Sequence, residues 1–340
     1  MSASGTVAVC PSCGRPTESG DAFCEACGTE LAPALISTGA RDFIPSCPVC
    51  SVDPSLPQPV AVTADGYCEN CGRKVPTGRD HVELDLGLLA GVTDRGSRHS
   101  RNEDAMALAT AVSPSAGPAA IAVVCDGVSS SPRPDEASLA GAQAGVRVLL
   151  DAVRTDDDLK EASLDAVHAA AVDLATLAAP GGSPSATYVS VIATSTEVMV
   201  CWLGDSRAYW LAAQDSQRLT TDDSLAQEMV ASGLLDEAAA MSAPQAHVIT
   251  RWLGADVSDP EAHVVTFTPP GPGVVLVCTD GLWNYLPEAD GLAALALPLA
   301  ATDPQRASGE LVTFALEAGG MDNITVVLIP FPLRSVETHE

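Results

Sequence analysis

Beyond residue 83 the chain alternates short apolar, β-branched runs bounded by turn residues with longer stretches of helical spacing. The runs predict strands over Leu84–Val92, Ala119–Cys125, Ala186–Ala193, Val198–Leu203, Arg207–Leu211, Ala262–Phe267, Val274–Cys278 and Ile324–Ile329. The Ala- and Leu-rich stretches Glu136–Val153 and Asp158–Ala178 predict two long helices, and Ser224–Ser232, Glu288–Leu295 and Pro304–Ala318 predict shorter ones. Proline-rich pieces at Ser113–Pro118, Ser131–Pro134 and Pro269–Gly273 read as loops. Two adjacent helices with strands before and after them argue for an α+β domain rather than alternating βαβ units.

The first 72 residues show no such pattern. They hold eight of the 11 cysteines, as the C-x-x-C pairs Cys10/Cys13, Cys24/Cys27, Cys47/Cys50 and Cys68/Cys71. Two residues between thiols let both sulfurs of a tight knuckle reach one ion, and two knuckles complete a tetrahedral four-thiolate site. Glycine follows the second thiol at Gly14, Gly28 and Gly72, where such a knuckle needs a positive φ. Four pairs in series point to two structural Zn2+ sites with no open position. Sequential pairing joins Cys10, Cys13, Cys24 and Cys27, then Cys47, Cys50, Cys68 and Cys71; an interleaved cross-brace is the alternative. Sequential loops close locally at lower entropy and are preferred. Cys125, Cys201 and Cys278 sit in apolar runs and read as buried small hydrophobes. The expected organisation is a double zinc ribbon over 1–72, a linker over 73–82, a large domain over 83–334 and a tail over 335–340.

Charge and hydropathy narrow the function. With 17 Lys+Arg against 44 Asp+Glu the net charge is −27. A surface that negative repels phosphate backbones and anionic membranes and suits divalent cations or basic partners. Only five basic residues precede residue 81, so the ribbons are expected to bind protein rather than nucleic acid. No apolar run reaches the ~18 residues of a membrane span. A basic segment followed by an apolar one is missing at the N-terminus, so a soluble, cytoplasmic protein is expected.

The aspartates fall at strand ends. Asp126-Gly127 closes one predicted strand, Asp280-Gly281 follows another, and Asp322-Asn323 opens a third. Glu103 and Asp104 lie in Asn102-Glu103-Asp104, Asp205 in Gly204-Asp205-Ser206-Arg207, and Asp222 and Asp223 follow Thr220-Thr221. A lone Asp-Gly after a strand is ordinary turn chemistry. Several at once can converge at the edge of a sheet, where oxygen-only ligands select hard cations such as Mg2+ or Mn2+.

These stretches, with Thr93-Asp94-Arg95-Gly96 and Ser185-Ala186-Thr187, run in the order of the bacterial type 2C metal-dependent Ser/Thr protein phosphatases. The chain resembles that family over about residues 84–331, and its first 72 residues resemble prokaryotic double zinc ribbon modules. The resemblance implies a four-layer α-β-β-α sandwich with metals in a cleft at one end of two sheets. It implies that Asp126 bridges two Mn2+ or Mg2+ ions, that the Gly127 carbonyl ligates one, and that Asp280 and Asp322 hold the first. Asp104, with Glu103 beside it, acts through waters on the other, and Asp205 and Asp222 fall where a third-ion site or outer ligands lie. The implied activity is hydrolysis of phosphoserine and phosphothreonine in proteins, substrates of Ser/Thr kinases among them, with the ribbons recruiting a partner or substrate. Two departures stand out. Where the family carries a phosphate-holding Arg, five positions before Asp104, this chain has His99, so Arg101 or Arg98 is the compensating candidate. After Asp126-Gly127 it has Val128-Ser129-Ser130 in place of Met-Gly-Gly or His-Gly-Gly. The rival readings are a non-catalytic phosphopeptide-binding adaptor and a hydrolase of small phosphoesters. Since every catalytic candidate lies beyond Asp80, residues 81–340 are expected to work without the ribbons.

Overall fold

The computed structural model describes residues 78–333, apart from 179–181, 237–238, 241–242, 244–245 and 258. Before them it describes 8–9, 15–17, 35–37, 47, 50, 55, 61–63, 67–73 and 75. Strands β1 (Ala8–Val9), β2 (Pro16–Thr17) and β3 (Leu35–Ser37) come first, followed by β4 (His81–Asp85), β5 (Ala90–Asp94), β6 (Asp104–Ser113) and β7 (Gly117–Asp126). Helices α1 (Pro134–Thr155) and α2 (Leu159–Thr176) precede β8 (Ser185–Ala186), β9 (Tyr188–Ala193), β10 (Val198–Leu203), β11 (Arg207–Leu211) and β12 (Gln217–Arg218). Then come α3 (Leu225–Ala231), β13 (Leu253–Gly254), β14 (His263–Phe267), β15 (Gly273–Cys278), α4 (Asp280–Trp283), α5 (Ala289–Ala300), α6 (Pro304–Glu317) and β16 (Ile324–Phe331).

Two antiparallel six-stranded sheets carry the architecture, ordered β14-β10-β9-β7-β6-β3 and β12-β11-β15-β16-β5-β4. In β7 the side chains alternate between two cores, as a strand's period of two requires. Ala119, Ile121, Val123 and Cys125 pack under α1 and α2 with Leu149, Val167 and Leu174. Ala120, Ala122 and Val124 meet Trp210, Val275, Val277 and Val327 of the other sheet. A third core sets Leu276, Val326 and Leu328 against Leu292 and Leu311 of α5 and α6. The layers are therefore helix, sheet, sheet, helix, as expected. Burial on both faces also explains why these strands read as continuous apolar runs.

Three local expectations are corrected. The run Leu84–Val92 is not one strand but the hairpin β4–β5, reversed at Gly87, which has φ +78° and donates its N–H to Asp85 Oδ1 at 2.8 Å. Asp104–Ser113, which carries only a motif in the sequence reading, forms a ten-residue strand that pairs with β7 from Asp104↔Asp126 to Ser113↔Gly117. Its alanines are poor β formers, so propensity hides it, and two-sided burial imposes the strand. The expected loop Ser113–Pro118 shrinks accordingly, and Pro118 lies within β7 opposite Val112.

The join to the cysteine-rich half also differs from a plain linker ending at residue 82. Strand β3 pairs with β6, Leu35↔Thr110 to Ser37↔Leu108, and so extends the first sheet. Residues 81 and 82 already belong to β4, and Arg95 N–H donates to the Asp80 carbonyl at 2.8 Å.

Trp210 ties the two sheets together. Its ring lies 5.4 Å from that of Phe267 in the first sheet and 5.9 Å from that of Phe331 in its own. The buried Trp210 Nε1 has no hydrogen-bond partner among the described residues, so replacing the indole forfeits packing only. We expect Trp210→Ala to cost about 3–5 kcal/mol in urea unfolding and Trp210→Phe less than half of that. Equal losses for the two variants would show that the indole N–H matters after all.

Candidate metal centre and active site

Strand ends from both sheets bring the aspartates near enough for their carboxylates to act on one another. Asp104 opens β6 directly opposite Asp126, which closes β7. From the second sheet, Asp280 starts α4 just after β15, and Asp322 precedes β16. Asp205 follows β10 and is buried. The approach is close enough to demand glycine at two of the turns. A Cβ on Gly281 would come within 1.9 Å of the Asn323 carbonyl oxygen, and one on Gly127 within 2.3 Å of that of Pro134.

Asp104 is the most fully supported member. Its Oδ2 accepts from Thr279 Oγ1 at 2.8 Å and Thr325 Oγ1 at 2.7 Å. The donors form a chain: Asn102 Nδ2 donates to Thr93 Oγ1 at 2.8 Å, and Thr93 and Thr325 share a hydroxyl bond of 2.7 Å. With both threonines on Oδ2, the buried Asp104 Oδ1 is left without a partner among the described residues. Asn323 fixes the loop beneath it, accepting from Glu103 N–H at 2.8 Å and donating to the Arg95 and Arg101 carbonyls at 2.8 and 3.1 Å. Sequence reasoning does not single out these threonines or Asn102, although they flank the aspartate motifs.

The electrostatics follow from confinement. Burial pushes Asp104 up to about 7, with the Asp322 carboxylate adding to it. Asp205 rises to about 7, through burial first and then Asp222, against the lowering effect of Arg207. Burial also raises Asp126 and Asp280 well above the ordinary aspartate range, each reinforced by neighbouring carboxylates of the cluster. Such charges persist together only when a cation compensates them. The orphaned Asp104 Oδ1 and the oxygen-only donor set fit a hard divalent ion, with Asp104, Asp126, Asp280 and Asp322 as candidate holders and Asp205 beside them.

The remaining candidates are committed elsewhere. Both oxygens of Asp222 are taken by the buried Arg207: Nε reaches Oδ1 at 2.9 Å and Nη2 reaches Oδ2 at 2.6 Å. Asp222 thus fixes Arg207, whose guanidinium lies 3.7 Å over the Trp283 ring. Glu103 accepts from Ser129 Oγ, in the stretch that departs from the family pattern. His99 does not stand free as a phosphate clamp: Nε2 is 3.1 Å from Asp322 Oδ1 and Nδ1 is 3.7 Å from Glu103 Oε2. Arg101 donates from Nη1 to Asp135 Oδ1 at 3.0 Å, and its side chain is 46 % exposed at the rim.

A second donor set lies in the cysteine-rich half. The sulfurs of Cys47, Cys50, Cys68 and Cys71 all lie within 4.8 Å of one another. Cys50 N–H and Asn70 Nδ2 donate to sulfurs of the set at 3.4 and 3.3 Å, as hydrogen bonds to thiolates do. Four converging thiols fit a structural Zn2+, and their grouping is that of sequential pairing. Cys10, Cys13, Cys24 and Cys27 lie outside the described residues. Among those residues no helix is long and apolar enough to cross a membrane.

Comparison with known proteins matches the family model of protein phosphatase 2C to residues 93–314 and that of the double zinc ribbon to residues 10–80. A serine/threonine phosphatase (Stp) of Listeria innocua is 32 % identical over 145 residues, 42 % of this chain and 55 % of that protein. The chain thus spans about half the length of that relative. Among solved structures, the serine/threonine phosphatase of S. agalactiae superposes with a TM-score of 0.59 at 25 % identity, covering 71 % of this chain and 97 % of that one. The catalytic domain of the phosphatase PstP, solved with two manganese ions, has a TM-score of 0.56 at 24 % identity, covering 71 % and 96 %.

Because Asp104 and Asp205 hold protons up to about 7 in the folded state, the metal-free protein binds more protons folded than unfolded above an ordinary aspartate's range. Their contribution to stability is therefore present at low pH and is lost as pH rises from about 4 to about 7. We expect the melting temperature of Mn2+- and Mg2+-free protein to fall between about pH 5 and pH 7.5, and saturating Mn2+ to remove most of that fall. Parallel melting curves with and without Mn2+ would show that the aspartates are not strained by one another.

Proposed function

The chain belongs to the protein phosphatase 2C family, and we propose that it hydrolyses phosphoserine and phosphothreonine in proteins with the help of Mn2+ or Mg2+. The observation that carries this reading is the confined aspartate cluster with an orphaned carboxylate oxygen on Asp104. Asp104, Asp126, Asp280 and Asp322 would hold the ions, with the Gly127 carbonyl beside Asp126. The fold neighbour solved with two manganese ions supports a centre of that composition. The chemistry such cations supply when bound is a water made acidic near neutrality and neutralisation of charge at phosphorus.

The chain's own residues set the stage for that chemistry. Thr279 and Thr325 orient Asp104, and Asn323 locks the loop that carries Glu103. His99, whose Nε2 lies 3.1 Å from Asp322 Oδ1, is placed to steady that carboxylate. Of the neighbouring arginines, Arg98 is exposed and Arg101 is half-exposed at the rim but paired with Asp135, and these two are the candidate guanidiniums for a phosphate. Arg has the planar fork that suits two phosphate oxygens at once. The cysteine knuckles are assigned to recruiting a protein partner or substrate.

The decisive assay is release of phosphate from a phosphothreonine peptide with and without Mn2+. We expect Asp126→Asn and Asp280→Asn each to remove more than about 99 % of turnover while leaving the circular dichroism spectrum intact, since each deletes a ligand charge. Near wild-type rates at saturating Mn2+ in either variant would defeat the two-metal reading. An inactive wild-type protein that still binds phosphopeptide would favour the adaptor reading instead.

A further inference from the structure

Arg79 lies outside the stretch that matches protein phosphatase 2C, in the segment leading from the four-cysteine cluster to β4. Its guanidinium nonetheless reaches into the metal centre. Nη2 donates to the carbonyl of Asp104 at 3.1 Å, and Nη1 donates to the carbonyl of Asp135, in the first turn of α1, at 2.9 Å. The Arg79 carbonyl in turn accepts from Asn102 Nδ2 at 3.1 Å, and Asn102 Oδ1 accepts from the Asp104 N–H at 3.2 Å. Asp104 is thus held at both backbone polar groups by two residues that are bonded to each other. On the other side, Val75 packs among Cys47, Cys50 and Cys68, only a few residues before Arg79. The same short segment is anchored at one end in the cysteine knuckles and at the other on a candidate ligand.

We propose that Arg79 is a positioning residue of the metal centre, fixing Asp104 against α1 and so setting the protein's affinity for divalent cations. This rests on the reading of Asp104 as a metal-holding residue. It also revises the expectation that residues 81–340 are self-sufficient, because one support of Asp104 comes from outside them. A planar fork that meets two carbonyls at once has no equivalent in lysine, whereas lysine keeps the charge.

That difference supplies the test, made on the full-length chain. Mn2+ binding is titrated by calorimetry and by the electron paramagnetic resonance signal of free Mn2+, neither of which needs turnover. We expect Arg79→Lys and Arg79→Ala both to weaken Mn2+ binding by about tenfold, the scale for losing a group that orients a ligand. At saturating Mn2+ the KM for p-nitrophenyl phosphate should stay near the wild-type value, and zinc content should not change. If Arg79 acted only through its charge, Arg79→Ala would tighten Mn2+ binding and Arg79→Lys would leave it unchanged. If its role were only structural, melting temperature would fall while the folded variants bound Mn2+ normally. Either result overturns the proposal, and should Arg79→Ala fail to fold, Arg79→Lys decides. Wild-type protein that binds Mn2+ without hydrolysing phosphothreonine peptide would sink the phosphatase reading, while the titrations would still judge Arg79.

Discussion

Five aspartates confined at one end of a β-sandwich repel one another, and much of the structure around them serves to hold them against that repulsion. Burial and neighbouring carboxylates raise Asp126 and Asp280 well out of the ordinary range, and Asp104 and Asp205 rise with them. A surface loop could relieve such strain by moving. Here Asp104 and Asp126 are the paired end residues of two strands buried on both faces, so moving either would mean breaking a strand pair. The sandwich is stiff where the site needs it to be stiff.

The hydrogen bonds near the cluster treat its carboxylates differently. Thr279 and Thr325 converge on Asp104 Oδ2 and leave Oδ1 bare. Arg207, by contrast, donates to both oxygens of Asp222 and holds that carboxylate beside Asp205. The two aspartates are thereby distinguished by their hydrogen-bond partners rather than by their position in the sequence.

Much of this was legible in the sequence because the relevant signals are local. The β-branched strands Val198–Leu203 and Val274–Cys278, the capped helix starting after Asp158 and the Asp-Gly turns each announce themselves within a few residues. Other features depend on distant partners and could not be read that way. Strand β6 is written in alanine, and only the two cores on either side of it make it a strand. His99 is where the resemblance puts a phosphate-holding residue, yet only the fold shows that its Nε2 lies 3.1 Å from Asp322 Oδ1, more than two hundred positions away. Arg79 carries no motif at all, and its importance lies in two backbone carbonyls that a sequence does not display.

Net charge and site charge pull in opposite directions, and the arrangement of cations reconciles them. A chain at −27 attracts cations and opposes the approach of anionic groups. Only 17 Lys+Arg are available, and three of them, Arg95, Arg98 and Arg101, fall within seven residues just before Asn102-Glu103-Asp104. Arg95 is turned inward to the His99 carbonyl, Arg98 is exposed, and Arg101 stands at the rim. Screening in physiological salt limits the reach of the remote acidic surface to about 8 Å, so a group at the rim feels chiefly the charges nearest to it. Local charges therefore set the field around the aspartate cluster even on so acidic a protein, and the distant carboxylates add little to it.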